Sequence, residues 1–461
     1  MQLQEYGTNW LKDAAGGIVI TCLFAKLLVL CLAKYALLDP ARLGIEMEAN
    51  KPSWNDAMNG LPGLFGSSMS ETVELARLVR FMLNHLVPER ELALPVEFIE
   101  YAQQLATIPE GDDFTVWDAT ATIREEYRER IRFGTLGLKA VAAKTFLALL
   151  LKAQATLERA ITRGITLGGG IIPTYLTYTA TRYDNLKHPD GSLKVTHYGL
   201  PAVKILEFSL QPLPHFLEAP ARYLKYGKDK TKVRKMAALI KQSGLYDQTL
   251  KMYKTSDDLD AYGYEIGRIR AFTKGWLERE ANFLHMTYKY LYGLLKSGNL
   301  DLFFAEAGDN FVCFMDPEVY GRSTLENSSF IATANNPDPA VHGQGFVARL
   351  SGSTAEMLSI HFLLAFGPEL YTCVDGLLRL TLKPMFPKRF FQDGIIEANL
   401  HGVRIRYLNE READGEQLRP ASYHLYHGGK LIAERRGTHL EAREAKLVRD
   451  RLVDLVIVRL Q

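Results

Sequence analysis

At Gly367 the hydrophobic pattern of this chain changes period, which limits it to folds that segregate helices from strands. Before that point apolar residues recur mainly at helical spacing, in the stretches Ser70 to Leu86, Phe133 to Arg163, Thr231 to Ser243, Leu277 to Lys296 and Thr354 to Phe366. After it the runs alternate, as in Leu377-Leu378-Arg379-Leu380-Thr381-Leu382 and Val403-Arg404-Ile405-Arg406-Tyr407. Turn formers at Lys383-Pro384, Asp393-Gly394 and His427-Gly428-Gly429 separate these runs, and only Glu441 to Asp454 returns to helical spacing. The expectation is a mainly α region over residues 1–367 and a small β-rich domain over 368–461. Within the first region Gly164 to Lys187 and Tyr198 to Leu224 read as long polar-aromatic loops, where a helical scaffold places binding residues.

Composition narrows the function classes. With 47% hydrophobic and 23% charged residues the chain can bury a large core, and a net charge of +2 gives no reason to expect nucleic acid or an anionic membrane as partner. Neutral sugars fit that balance. Cys22, Cys31, Cys313 and Cys373 fall inside apolar runs without paired metal-ligand spacing and predict buried, reduced thiols. The most apolar stretch, Gly16 to Leu38, is interrupted by Lys26 and Lys34, so it predicts a buried helix rather than a membrane span or signal peptide, and a cytoplasmic protein.

Three segments carry chemistry. In Lys51-Pro52-Ser53-Trp54-Asn55-Asp56-Ala57-Met58-Asn59-Gly60 one acid, Asp56, lies beside an indole and two amides and is followed by turn formers. A carboxyl beside an aromatic face suits proton donation, and a sugar ring stacks well on tryptophan; the competing reading is a solvated aspartate capping the helix that begins near Ser68. In Gly275 to Met286, Glu278 and His285 are seven apart, so a helix through both would present them on one face; a surface acid plus a core histidine is the alternative. In Ala348 to Leu358, Ser353 and Glu356 have capping-box spacing, and the free amides of such a helix start can cradle an anion, although most capping boxes bind only their own helix. Gly168-Gly169-Gly170 lacks the Lys of a phosphate loop and reads as a turn. His215 with Glu218, and His85 with Glu89, lack a third ligand, so no metal is expected.

Taken in order, Trp54-Asn55-Asp56, Glu278 with His285, and Leu350-Ser351-Gly352-Ser353 resemble the inverting glycoside phosphorylases of glycoside hydrolase family 94. Three longer strings, Asn59 to Gly66, Tyr320 to Phe330 and His342 to Gly352, resemble the large β-oligoglucan phosphorylases more closely, and the likeness spans about Pro52 to Tyr407. The resemblance implies Asp56 as general acid, Trp54 and Glu278 as contacts to the transferred sugar, and His285, Ser351 and Gly352 as phosphate holders. Ser351 stands where the family normally has Thr, and Arg279 where cellobiose-type relatives usually have Asn.

The implied reaction is inverting phosphorolysis of a β-gluco-oligosaccharide, β-1,2 or β-1,3 linked ahead of β-1,4, giving α-glucose 1-phosphate. Inorganic phosphate is the co-substrate, and no cofactor is implied. The family also implies a partial (α/α)6 barrel, because only fifty-five residues precede Asp56 where relatives carry a β-sandwich and early barrel helices. A partner chain supplying that half, or a homo-oligomer, is the corresponding expectation. Rival readings are an inverting hydrolase with Glu278 as base, and a glycan-binding protein without turnover.

Overall fold

The structure, a computed structural model, describes residues 10–49, 51–347 and 351–461, the side chain of Ser351 excepted. The first helices are α1 (Leu23–Tyr35), α2 (Met69–Asn84), α3 (Val96–Thr107), α4 (Asp113–Ile131), α5 (Leu147–Leu167) and α6 (Glu218–Tyr226). They are followed by α7 (Lys230–Gln242), α8 (Leu284–Lys296), α9 (Leu300–Asn310), α10 (Pro317–Tyr320), α11 (Ser351–Phe366) and α12 (Ala442–Arg449). Among the described residues these twelve helices make up 40% of the chain, and 23% is strand in six sheets. The molecule is therefore an α/β mixture, and the mainly α partial (α/α)6 barrel with a small β-domain expected from sequence is incorrect.

Of the strands that sequence reading missed, the longest lie where loops were predicted, while Leu138–Ala142 and Asn282–Phe283 interrupt the predicted helical stretches Phe133 to Arg163 and Leu277 to Lys296. Tyr175–Asn185 and Val203–Pro212 form one long antiparallel hairpin in place of the two polar-aromatic loops. Only its root, at Tyr175, Leu176 and Tyr178, is buried. Beyond the root Tyr175–Asn185 is largely exposed, whereas Leu206, Phe208 and Leu210 alternate with exposed Glu207, Ser209 and Gln211 in the second strand, a short period-two signal that the sequence reading passed over. Pairs only two residues long add further sheet, such as Asn282–Phe283, Phe330–Ile331 and Gly345–Phe346, and these are too short to carry a period.

Helices follow their buried stripes. In α2, Val73, Ala76, Val79 and Met82 face inward, and each of the valine and methionine side chains contributes about 1.5–3 kcal/mol on burial. α4 escaped prediction because Val116 alone of its residues is buried; instead the Asp112 side chain caps it by accepting from the Thr115 amide at 3.0 Å. The predicted helix over Gly16 to Leu38 shrinks to α1, with Ile18 and Ile20 exposed before it. The predicted thiols also diverge: Cys31 is buried, with burial pushing its pKa up to about 12, whereas Cys22, Cys313 and Cys373 are exposed, and all four are free. No helix among the described residues is long and apolar enough to cross a membrane.

α1, α2, α6, α8 and α11 pack successively side by side, with α5 behind α2 and α9 behind α8. From Ala365 onward a separate hydrophobic core gathers Leu380, Ile405, Tyr423 and Val458 around a five-stranded sheet. In that sheet Val403–Asn409 and Leu455–Leu460 run parallel, and α12 fills the predicted helical stretch.

Candidate functional site

The loop that carries Asp56 is held by its own amides and by a second loop. Asn55 accepts from the Ala57 amide at 3.1 Å and starts the short 3-10 turn Asp56–Met58. Ala57, Met58 and Leu61 then bury against Ile266 and Ile269. Asn59 Oδ1 accepts from the Arg268 amide at 2.9 Å, and Gly60 donates to the Ile266 carbonyl at 3.3 Å. The fit requires Gly267, whose φ is +128° and whose added Cβ would lie 2.6 Å from the Ala57 carbonyl oxygen. Asp56 neither caps α2, which starts at Met69 without a side-chain cap, nor packs beside Trp54. Its side chain is 79% exposed and stands 3.8 Å from the Arg268 guanidinium. Trp54 turns inward instead, its indole 5.7 Å from Phe283 and edge-on to His285 at 6.4 Å, with Nε1 buried and unpartnered.

Glu278 does not share a helix with His285. Trp276 and Arg279 exchange backbone hydrogen bonds of 3.2 and 3.3 Å across a tight turn, and the left-handed φ of +52° at Leu277 excludes a helix there. The strand Asn282–Phe283 intervenes before α8. The two side chains nevertheless line one cavity of about 430 Å³, together with Arg268, Phe272, Ser329 and Gly352. Burial raises the Glu278 carboxyl above the ordinary range and the Asp56 charge pushes the same way, while Arg268 opposes both. Arg279 faces away from this cavity, pairing with Asp260 and donating to the Phe272 carbonyl at 2.8 Å, so it fixes the loop rather than contacting a ligand.

On the wall of the same cavity His285, second residue of α8, meets the start of α11. A Cβ on Gly352 would lie 2.5 Å from His285 Nδ1, so only glycine permits this approach. The capping box is not formed: α11 already begins at Ser351, Ser353 donates to the Ser328 carbonyl at 3.5 Å, and Glu356 turns to His285. Ala348, Arg349 and Leu350 lie outside the described residues, as does the Ser351 side chain. The starts of α2 and α6 meet nearby, where the Ser70 hydroxyl faces the buried Glu218 carboxyl.

Sequence reasoning missed Arg268, Phe272, Phe283, Phe330 and Glu356. Phe283 pairs across strands with Phe330, and Phe330 with Phe346, giving a ring row that packs the cavity wall beside Trp54. Their only signal was membership of the quoted strings around them. In the two His–Glu pairs weighed and set aside as metal ligands, His85 lies over Phe81 and Glu89 pairs with Lys144, while Glu218 pairs with Arg222. Among the described residues no group of three or more His, Cys, Asp or Glu side chains could hold a metal ion.

No family model matches the chain, and no match was found among curated proteins.

Proposed function

We propose that this cleft catalyses inverting phosphorolysis of β-linked gluco-oligosaccharides. Phosphate oxygen forms the new bond to the anomeric carbon, the glycosidic C–O bond breaks, and Asp56 delivers its proton to the departing oxygen. The products are α-glucose 1-phosphate and an oligosaccharide shorter by one glucose. Phosphate is already anionic, so no general base is needed, and Glu278 serves as a sugar contact rather than a water activator.

The observation that carries this reading is one cavity lined both by a half-buried carboxyl, Glu278, and by His285 against the α11 start. Free amides at a helix start, together with an imidazole, favour an anion such as phosphate, and Arg268 links that cavity to Asp56 at its mouth. The test is incubation with β-1,2- and β-1,3-linked gluco-oligosaccharides, with and without inorganic phosphate. Glucose 1-phosphate released only when phosphate is present is the expected result; free glucose released without phosphate means hydrolysis instead. Asp56→Asn is expected to lower the rate by about 10²–10⁴-fold while saccharide binding persists. Saccharide binding without turnover in the unsubstituted protein identifies a glycan-binding module.

A further inference from the structure

Glu278 stands on a turn whose backbone is strained on both sides of it. Leu277 and Glu280 have left-handed φ of +52° and +60°, a region that residues with a Cβ adopt rarely and hold only where the surroundings over-determine it. Glu280 is where that hold is concentrated. Its side chain is buried, its amide donates to the Ser256 hydroxyl at 3.1 Å, and its carbonyl accepts from the Thr333 hydroxyl at 2.7 Å. Its Oε2 accepts from the Asn335 side-chain amide and lies 3.6 Å from the buried Lys254 ammonium, while Oε1 faces Lys274 at 3.8 Å. Two loops distant in sequence, 254–256 and 333–335, thus close on one residue of the turn.

We propose that Glu280 is the positioning residue for Glu278: its buried pairs with Lys254 and Lys274 fix the turn and aim the Glu278 carboxyl into the cavity, toward the sugar. This rests on the reading of Glu278 as a sugar contact. A buried carboxylate paired with lysine adds little net stability over apolar side chains of like volume, so geometry is what the cluster supplies. A turn that needed only to close would take glycine at its left-handed positions. Here Leu277 occupies one of them and lines the cavity beside Glu278, so the strain lies where the turn presents its side chains. Arg279, next in the chain, pairs with Asp260, and Lys274 reaches the same carboxylate at 2.6 Å, which ties the two ends of the turn together.

The experiment measures binding to the full chain by calorimetry, with β-1,2- and β-1,3-linked glucose disaccharides and, separately, with inorganic phosphate. It compares the unsubstituted protein, Glu280→Gln, Glu278→Ala and the double variant. Glu280→Gln keeps the shape of the side chain but not its charge, and is expected to weaken disaccharide binding about tenfold while phosphate binding stays within about twofold. Glu278→Ala is expected to weaken the disaccharide by at least as much. The double variant is expected to bind no more weakly than Glu278→Ala alone, because Glu280 then has nothing to aim. Losses that multiply in the double variant overturn the role, since a general loosening of the fold acts whether or not Glu278 is present. Disaccharide affinity left unchanged by Glu280→Gln, or phosphate affinity lowered as far as disaccharide affinity, also overturns it. Should Glu280→Gln fail to fold, Lys274→Met takes its place in the same comparison, with an expected loss of about threefold that vanishes beside Glu278→Ala. No loss, or one that persists there, overturns the role. Absence of disaccharide binding in the unsubstituted chain overturns the sugar reading of Glu278 and the role with it, whereas the other contrary outcomes overturn the role alone.

Discussion

Gly352 shows how little room surrounds His285. Its backbone conformation is open to other residues, so the demand for glycine comes wholly from the imidazole 2.5 Å from where a Cβ would sit. Gly352→Ala is therefore expected to displace His285 and, on the phosphorolytic function proposed above, to raise the phosphate KM about ten- to a hundredfold, with at most about 1–3 kcal/mol lost in a denaturation experiment. Steady-state kinetics against phosphate checks the first effect and a denaturant titration the second. Asp56, Glu278, His285 and Gly352 were legible in the chain because each sits in a distinctive local string. Arg268 and Glu356 were not, since a lone arginine in a loop and a glutamate in a capping pattern each have an ordinary local explanation. Their roles come from partners far away in sequence, Asp56 and His285.

Two loops, residues 51–66 and 262–272, behave as one unit, because each supplies hydrogen bonds that the other needs. Gly267 is the position on which the pair depends. Gly267→Ala adds a Cβ 2.6 Å from the Ala57 carbonyl at a φ of +128°, and is expected to cost about 1–3 kcal/mol and to uncouple Asp56 from the cavity. Turnover should then fall further than phosphate affinity, which calorimetry with inorganic phosphate checks separately from rate measurement. The same pairing explains why helical spacing misled at Glu278 and His285. Seven residues separate two helical turns equally well from a turn, a short strand and a helix start, and the latter arrangement also delivers both side chains to one cavity.

The packed helices bury charge as well as apolar surface, and the whole molecule carries a pH dependence as a result. Burial raises Asp39 to about 6 and Glu218 to about 7, the latter despite its Arg222 partner. Both are acids whose folded values exceed their unfolded ones, so the folded state holds extra protons, and stability falls as pH rises from the unfolded carboxyl range through those values. Denaturation midpoints are expected to be higher near about pH 5 than near about pH 8, and Glu218→Gln is expected to flatten that difference. A slope unchanged by Glu218→Gln removes Glu218 from this explanation. What residue order alone established is local: the helices α2, α7 and α11 to within a few residues, the change to alternating strands after Gly367, and the short strings that hold Asp56, Glu278, His285 and Gly352. These follow from periodicity and turn chemistry, which neighbouring residues carry between them. The α/β balance, the course of the exposed hairpin, the inward turn of Trp54 and the pairing of His285 with Glu356 came from folding. Each depends on contacts between distant segments, where burial and shape outweigh any local pattern.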